Sequence, residues 1–422
     1  MRLLPPLLAL AMAAVGLALP AAALPAVDVP GAPSALTVTA APLQSGSLAP
    51  GEDLIITSSV TNSTQSAVSA ATITVSLQRA AVPSVAALSS WMHPPAGEHR
   101  VADTVLLQQP FPALLRGETR TDTLIVPAAA VGLDAQPWGV HAVAVTVTAD
   151  GIDPSLARTS IVWHPTADVP ATSVAVAMPI TVPAEAVGLL DATQLAAYTA
   201  PGGVLDRQLS ELAGSQVAIG IDPRIIASIR ILGTEAPPSA TAWLDRLKTV
   251  SNETFELSYA DSDIAALAQA GGIPPLDPIP FTIDPNRFAP APTGSPSASP
   301  SPTSSPSPSA TPVPTLPTSE ELLDWDYTIP ALAWPGDDTV ADKNLDKFAE
   351  DGLTTTILSS DNLVVPKSGL VPPSTASIGG HPVAVASSAL SALLREAASA
   401  ADDLTWRDAI CEFSSMLALA GA

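Results

Sequence analysis

Apolar and polar residues alternate with a period of two from Ser34 to Pro165, which is typical of strands with one buried face. In three segments the apolar positions are Leu54, Ile56 and Val60; Ile73, Val75 and Leu77; and Val143, Val145 and Val147. With SALTVTA, VLLQQP, TRTDTLIVP and ARTSIVW, these segments predict about seven short strands, a count typical of an immunoglobulin-like β-sandwich. The pattern therefore predicts a sandwich over residues 34–165, with a helical crossover at PSVAALSSWM.

From residue 172 onward the apolar runs become continuous and alternate with segments of helical period. The strand-like runs are VAVAMPI, VAIGI, FELSY, YTIPALAW and LTTTILSS, and Leu205, Leu209 and Leu212 mark one helix face. Continuous apolar strands separated by helices indicate a parallel sheet covered on both faces. We expect an α/β domain, either barrel-like or doubly wound. The sequence offers no more than six such strands, whereas a closed barrel has about eight, so the sheet is either open or incomplete.

A Pro/Ser-rich stretch, residues 289–319, interrupts this pattern and carries no charge. Such a composition buries too little apolar surface to offset chain entropy, so it predicts an extended, disordered segment. It is either a linker between domains or an insertion in one α/β barrel-like domain. Insertion is favoured because the same pattern lies on both sides, in residues 172–288 and 320–422. The second part, 320–422, is either complete or a fragment of a longer unit.

The N-terminus predicts export. Residues 1–23 combine a basic Arg2, an apolar run from Leu3 to Leu19 and small residues at 21–23, as in a cleavable signal peptide. We expect an extracytoplasmic protein, secreted or associated with the cell envelope. Cys411 is the single cysteine, so no internal disulfide can form; its apolar helical context predicts a buried small side chain.

Charge and missing motifs exclude several classes of function. Against 17 Lys and Arg stand 40 Asp and Glu, giving a net charge of −23 that disfavours nucleic acid and anionic lipid as partners. None of the five histidines forms a pair with metal-ligand spacing, so no metal is predicted. Without a P-loop, a dinucleotide fingerprint or a serine elbow, no nucleotide and no cofactor are predicted.

Several longer motifs resemble a known family. They are WGVHAVAVTVTADG, VAVAMPIT, LDRQLSELAGSQVAIGIDPRIIASI, FELSYADSDIAALAQAG and LAWPGDDTVADKNLDKFAEDGLTTTILSSDNL. Together they resemble uncharacterised actinobacterial envelope proteins that carry a domain of unknown function and are commonly encoded near the lipid II flippase. The resemblance implies a signal peptide, an immunoglobulin-like module, a barrel-like domain and, in longer members, a C-terminal membrane helix. It implies no established activity. This chain departs from the last feature, because FSSMLALAGA is too short an apolar run to span a bilayer.

Acidic residues follow the predicted α/β strands at their C-terminal ends. They are Asp222, Asp261, Asp263, Asp337, Asp338 and Asp361. In parallel α/β folds these ends gather on one face, where ligands bind. Tyr259 and Trp334 lie near these acids and offer rings on which a sugar can stack. The predicted ligand cleft comprises Asp222, Tyr259, Asp261, Trp334 and Asp337.

Two functions compete for these residues. In the favoured one, the chain is a non-enzymatic envelope protein that binds cell-wall glycan or a membrane protein of envelope assembly. In the alternative, it is a glycosidase-like enzyme in which Asp222 acts with Asp261 or Asp263. Aspartates at strand-to-helix turns are also preferred helix N-caps, and Pro223 after Asp222 fits that role. Hydrogen bonding of the carboxylates therefore discriminates between the two functions.

Overall fold

A computed structural model describes residues 36–95, 97–98, 100–165, 172–271, 280–288, 315–363 and 373–421. The predicted signal peptide, residues 1–23, lies outside the described residues. So does most of the predicted Pro/Ser-rich segment, from 289 to 314; its residues 315–319 lead directly into a short helix.

The N-terminal half forms two facing sheets, as the alternating pattern predicts. Its described strands are β1 (Leu36–Pro42), β2 (Ser47–Leu48), β3 (Leu54–Asn62), β4 (Ala71–Leu77), β5 (Thr104–Phe111), β6 (Thr119–Val126), β7 (Gly139–Ala149) and β8 (Ile152–Trp163). One sheet has the order β1-β3-β6 and the other β2-β8-β7-β4-β5. Paired strands are antiparallel, except that β2 runs parallel to β8. Two helices connect strands of the sandwich. Helix α1 (Val85–Met92) lies between β4 and β5, at the predicted crossover, and α2 (Ala128–Val131) lies between β6 and β7.

The sandwich core consists of the residues that the alternation placed inward. Ile56, Val75 and Val145 are fully buried between the sheets. Burying a side chain of this size stabilises the fold by roughly 1.5–3 kcal/mol. Every apolar position named from the three alternating segments is buried, which confirms the predicted strand faces.

The second half is a curled sheet with helices on one side. Its described strands are β9 (Ala177–Ile180), β10 (Ala218–Ile221), β11 (Thr254–Glu256), β12 (Leu332–Ala333), β13 (Thr355–Ser359), β14 (Thr375–Ile378) and β15 (His381–Ala386). The helices are α3 (Ala192–Thr199), α4 (Val204–Leu212), α5 (Pro223–Ile231), α6 (Pro238–Lys248), α7 (Ile264–Gln269), α8 (Ser319–Leu323), α9 (Asn344–Glu350), α10 (Ser388–Ser399) and α11 (Asp403–Ala420). The predicted helix face of Leu205, Leu209 and Leu212 is buried in α4.

Six parallel strands in the described residues follow one another in chain order. β9, β10 and β11 form one parallel group, and β12, β13 and β15 form another, with β14 antiparallel at the edge. Ile329 donates its N–H to the Thr254 carbonyl over 2.9 Å, so the segment before β12 lies beside β11. Consecutive neighbours are typical of a β/α barrel, whereas a doubly wound sheet reverses its order. The sheet is therefore a curled half-barrel, and the doubly wound alternative is not what the chain adopts.

Helix α11 packs against the sandwich, although its position in the chain placed it in the predicted α/β part at 320–422. Its Ser415 hydroxyl lies 2.9 Å from the Ser160 hydroxyl of β8, and both residues are fully buried. Cys411 is also fully buried, as predicted, with its sulfur 3.6 Å from the Pro42 carbonyl oxygen of β1. The residues that α11 buries are both apolar and polar: Ala409, Cys411, Glu412, Ser415 and Met416. Within the described ranges, no helix is both long and apolar enough to span a membrane.

Candidate functional site

A cleft of about 230 Å³ lies where β11 and β12 end, and it contains four of the residues singled out in the sequence. It is lined by Pro179, Leu257, Asp261, Ser262, Asp263, Trp334, Pro335, Gly336 and Asp337. Cavities of about 290 and 330 Å³ border the sandwich, but neither joins strand-end acids to a partly exposed aromatic ring. We therefore take the cleft of about 230 Å³ at the ends of β11 and β12 as the candidate site.

The floor of the cleft is the sheet face opposite helices α3 to α6. Pro179, Gly220 and Phe255 are aligned partners across β9, β10 and β11, so their side chains share this face. A Cβ at Gly220 would lie 2.8 Å from a Leu257 methyl and 3.0 Å from the Phe255 ring. Glycine in VAIGI is thus required for these two side chains to cover the sheet.

Trp334 forms the aromatic wall. It follows β12 directly, and its ring centroid lies 5.7 Å from that of the buried Phe255, at an interplanar angle of 41°. This tilted contact fixes the indole while part of its surface stays accessible. The indole therefore packs against Phe255 at the edge of the cleft.

Two of the acids at the lip are held by other groups. Asp263 caps α7 by accepting the Ala265 N–H at 2.9 Å, and the same oxygen accepts from Gly336 N and Thr339 Oγ1 at 3.2 Å each. Asp337 pairs with Arg395 of α10 at 2.8 Å, in an exposed ion pair. Asp263 thus joins the two loops of the cleft, and Asp337 joins the cleft to α10.

Asp261 presents its carboxylate to the cleft from a strained turn. Asp261 and the preceding Ala260 both have left-handed backbones, with φ of 53° and 59°. Such a conformation costs a residue with a Cβ roughly 1–2 kcal/mol. Crowding by protein atoms raises the pKa of the Asp261 carboxyl, and the positive charge of Arg224 opposes that shift.

Asp222 lies beneath the cleft and is not part of its lining. It is fully buried and caps α5, accepting the Arg224 N–H at 2.9 Å; the same oxygen accepts the Ala260 N–H at 2.9 Å. Its other oxygen lies 3.3 Å from Arg224 Nε. Burial raises the pKa of Asp222, although the bonds from Arg224 and Ala260 favour its charged form. Both oxygens are therefore engaged by the protein.

The remaining predicted residues lie outside the cleft. Tyr259 is half-buried with its ring 6.2 Å from that of Phe281, and burial together with the Asp222 charge raises its pKa. Asp338 accepts a hydrogen bond from the Ser359 hydroxyl at 2.8 Å. Asp361 is exposed in a short 3-10 turn. The structure thus brings Asp261, Asp263, Trp334 and Asp337 together, and it separates Asp222 and Tyr259 from them.

Sequence reasoning did not single out Arg224 or Arg395. Arg224 is 5 % exposed and donates to the Ala186 carbonyl at 2.8 Å as well as to Asp222. A basic residue inside the otherwise apolar run DPRIIASI was the available signal, because a buried cation needs a partner. Across the described chain, no three His, Cys, Asp or Glu side chains are grouped to hold a metal ion.

Comparison with known proteins shows one family. A model described as a family of unknown function (DUF6049) matches residues 2–419. No curated protein matches the chain. The CARDB domain of the PF1109 protein from Pyrococcus furiosus, solved with di-metal ions, is 12 % identical over 31 % of this chain and 87 % of that chain, with a TM-score of 0.20.

Two further solved structures are glycosidases. A β-glucosidase from Listeria innocua, in complex with glucose, is 20 % identical, with a TM-score of 0.21. The β-glucosidase EmGH1 from Erythrobacter marinus is 14 % identical, also with a TM-score of 0.21. Each match covers 31 % of this chain and 16 % of that chain. Similarities with TM-scores this low carry no argument about fold or function.

Proposed function

The chain belongs to a family of unknown function (DUF6049), and we propose that it is an exported, non-enzymatic cell-envelope protein whose half-barrel cleft binds a glycan. The observation that carries the proposal is the accessible Trp334 indole, fixed on Phe255 and flanked by carboxylates at the strand ends. A sugar ring presents C–H groups on its faces and hydroxyls around its rim. The indole face suits the former, and carboxylate oxygens accept hydrogen bonds from the latter.

Binding without hydrolysis agrees with the hydrogen bonding of the acids. Glycoside hydrolysis requires two carboxyl groups on either side of the scissile bond. Asp222 is buried and fully engaged, and Asp263 accepts from three donors. Among the three aspartates that line the cleft, Asp261 neither caps a helix nor forms an ion pair with a described residue.

The charge of the cleft favours a neutral glycan. Asp261, Asp263 and Asp337 line it, and Arg395, which reaches the lip at Asp337, is paired with that carboxylate. With a net charge of −23, the molecule repels anionic polymers at long range as well. Teichoic acids and uronic-acid polymers should therefore bind more weakly than neutral chains.

Location outside the cytoplasm is part of the proposal and is supported by the signal-like residues 1–23. An exported chain meets both cell-wall glycan and the outer parts of membrane proteins. A membrane protein of envelope assembly is the second partner that we propose for this surface.

Calorimetric titration of the purified chain tests glycan binding, with neutral arabinogalactan oligosaccharides as the probe and with soluble muropeptides, whose peptides carry carboxylates, and polygalacturonate as anionic comparisons. Trp334→Ala should weaken binding about tenfold, equivalent to about 1.4 kcal/mol. Trp406→Ala is the matched control, because this exposed tryptophan of α11 lies outside the cleft. Equal affinity of Trp334→Ala and the wild type would refute the cleft as the binding site.

A glycosidase-like activity is the second candidate, and the crowding that raises the pKa of Asp261 favours it, because a proton donor needs that shift. Incubation of the same probes, followed by measurement of reducing ends, decides between the two. We expect no release. Release of reducing ends that is abolished by Asp261→Asn would instead establish a glycosidase.

A further inference from the structure

We infer that Asp222 is a positioning residue, which holds the Asp261 carboxylate at the lip of the cleft through the backbone N–H of Ala260. The expected effect of Asp222 on ligand binding rests on the glycan-binding function proposed above. The expected effect of Asp222 on the Asp261 carboxylate does not. The carboxylate that the sequence suggested as catalytic would therefore act on the site without touching the ligand.

The geometry places one Asp222 oxygen between two elements. It accepts the Arg224 N–H of α5 at 2.9 Å and the Ala260 N–H of the loop after β11 at 2.9 Å. A cap needs only bonds within its own helix. Asp191, the cap of α3, shows that simpler arrangement, because among the described residues its oxygen accepts only from Thr193 and Gln194. Asp222 thus makes a bond to a neighbouring loop that capping does not require.

That bond lies at a strained turn of the backbone. Ala260 and Asp261 are consecutive left-handed residues, and Ala260 has a side chain that disfavours this conformation. Strained residues persist when surrounding contacts determine their conformation. The Asp222 bond to Ala260 is such a contact, and it comes from a fully buried side chain that cannot move into solvent.

Arg224 completes the support. Its Nε lies 3.3 Å from the second Asp222 oxygen, and its Nη1 donates to the Ala186 carbonyl at 2.8 Å. The positive charge of Arg224 lowers the pKa of Asp261, and the negative charges of Asp261 and Asp222 repel each other. Burial raises the pKa of the half-buried Tyr259 and Tyr327, and the Asp222 charge adds to both shifts. The ion pair therefore fixes both the position of Asp261 and the charge that it experiences.

Asp222→Ser tests the inference. Serine can still cap α5, but its hydroxyl is too short to reach Ala260 as well, and it leaves the Arg224 charge unbalanced. We expect a lower pKa for Asp261, measured by carbon-13 NMR titration of labelled aspartate carboxyls and assigned with Asp261→Asn. We also expect about tenfold weaker binding of arabinogalactan oligosaccharides. Adding Ala260→Gly should restore part of that binding, because glycine takes a left-handed backbone without strain.

Asp191→Ser is the control for altering a helix cap, and it should change neither the Asp261 pKa nor the affinity. A folded Asp222→Ser protein with an unchanged Asp261 pKa and unchanged affinity would overturn the inference. If Asp222→Ser does not fold, Asp222→Asn serves, because loss of the charge alone should still lower the Asp261 pKa; an unchanged value would again refute it. If the wild type binds no glycan, the proposed function fails, while the NMR titration still decides whether Asp222 positions Asp261.

Discussion

Replacement of Asp408 by asparagine should stabilise the protein, and increasingly so as the pH rises. Asp408 lies on α11, and one of its oxygens is buried without a hydrogen-bond partner among the described residues. Burial raises its pKa to about 7, and the neighbouring Glu412 and Glu396 add to the shift, while His93 opposes it. Glu412 is itself buried and hydrogen-bonded to His93 of the sandwich at 3.0 Å. Ionised Asp408 is therefore unfavourable where α11 meets α1.

The sign follows from the raised pKa. The folded protein holds this proton more tightly than the unfolded chain, whose Asp pKa is about 3.9. The free energy that protonation of Asp408 contributes to folding is complete below the unfolded pKa. It is lost as the pH rises through the folded pKa of about 7. At about 1.36 kcal/mol per pKa unit, the loss is at most roughly 4 kcal/mol, and solvent at the partly exposed carboxyl reduces it to roughly 2.

Asparagine cannot ionise, so Asp408→Asn avoids this loss. Urea unfolding at pH 5.0 and 8.5, followed by tryptophan fluorescence, should show a gain over the wild type that grows by roughly 1–3 kcal/mol between the two pH values. Asp403→Asn, at an exposed residue paired with Arg407, should change stability by less than roughly 0.5 kcal/mol at either pH. A gain for Asp408→Asn that is equal at both pH values would refute the electrostatic reasoning.

Three further substitutions or reactions test other parts of the structure. Ala260→Gly should raise the free energy of unfolding by roughly 1 kcal/mol in urea titrations, because it relieves a left-handed alanine; destabilisation would contradict the assigned turn. Gly220→Ala should lower it by roughly 1–3 kcal/mol, since the added methyl overlaps Leu257 and Phe255, and an unchanged midpoint would show that these side chains are free to move. Cys411 should react with a thiol reagent only after unfolding, because it is fully buried and burial raises its pKa to about 12; rapid labelling of the folded protein would argue against the docked position of α11.

Local patterns were sufficient to predict most of the elements. Alternation with a period of two identified the buried faces of β3, β4 and β7, because the pleat alone determines which side chains point inward. Strand-end acids could be predicted to gather for a similar reason, since parallel strands end on one edge. The individual roles of these acids could not be predicted. Asp222, Asp261 and Asp263 look alike in sequence, and only the structure shows that Asp222 is fully buried and bonded to Ala260 beneath the cleft.

The docking of α11 also could not be predicted. A helical period indicates that one face is buried, but it does not say against which element. The face that α11 buries includes Ser415 and Glu412, whose partners Ser160 and His93 lie hundreds of positions earlier in the chain. Complementarity between such distant residues leaves no local signal.

The position of α11 has a consequence for biosynthesis. Cys411 meets Pro42 across 369 positions, so strands of the sandwich are made long before the helix that covers them. Contacts this distant in sequence form late and close a large loop, which slows folding. Until α11 arrives, the outer surface of β8 and the side of β1 remain uncovered, and uncovered apolar surface on an unfinished chain is prone to aggregation. A nascent chain of this protein therefore needs its sandwich shielded from other chains until the residues after 403 have been made.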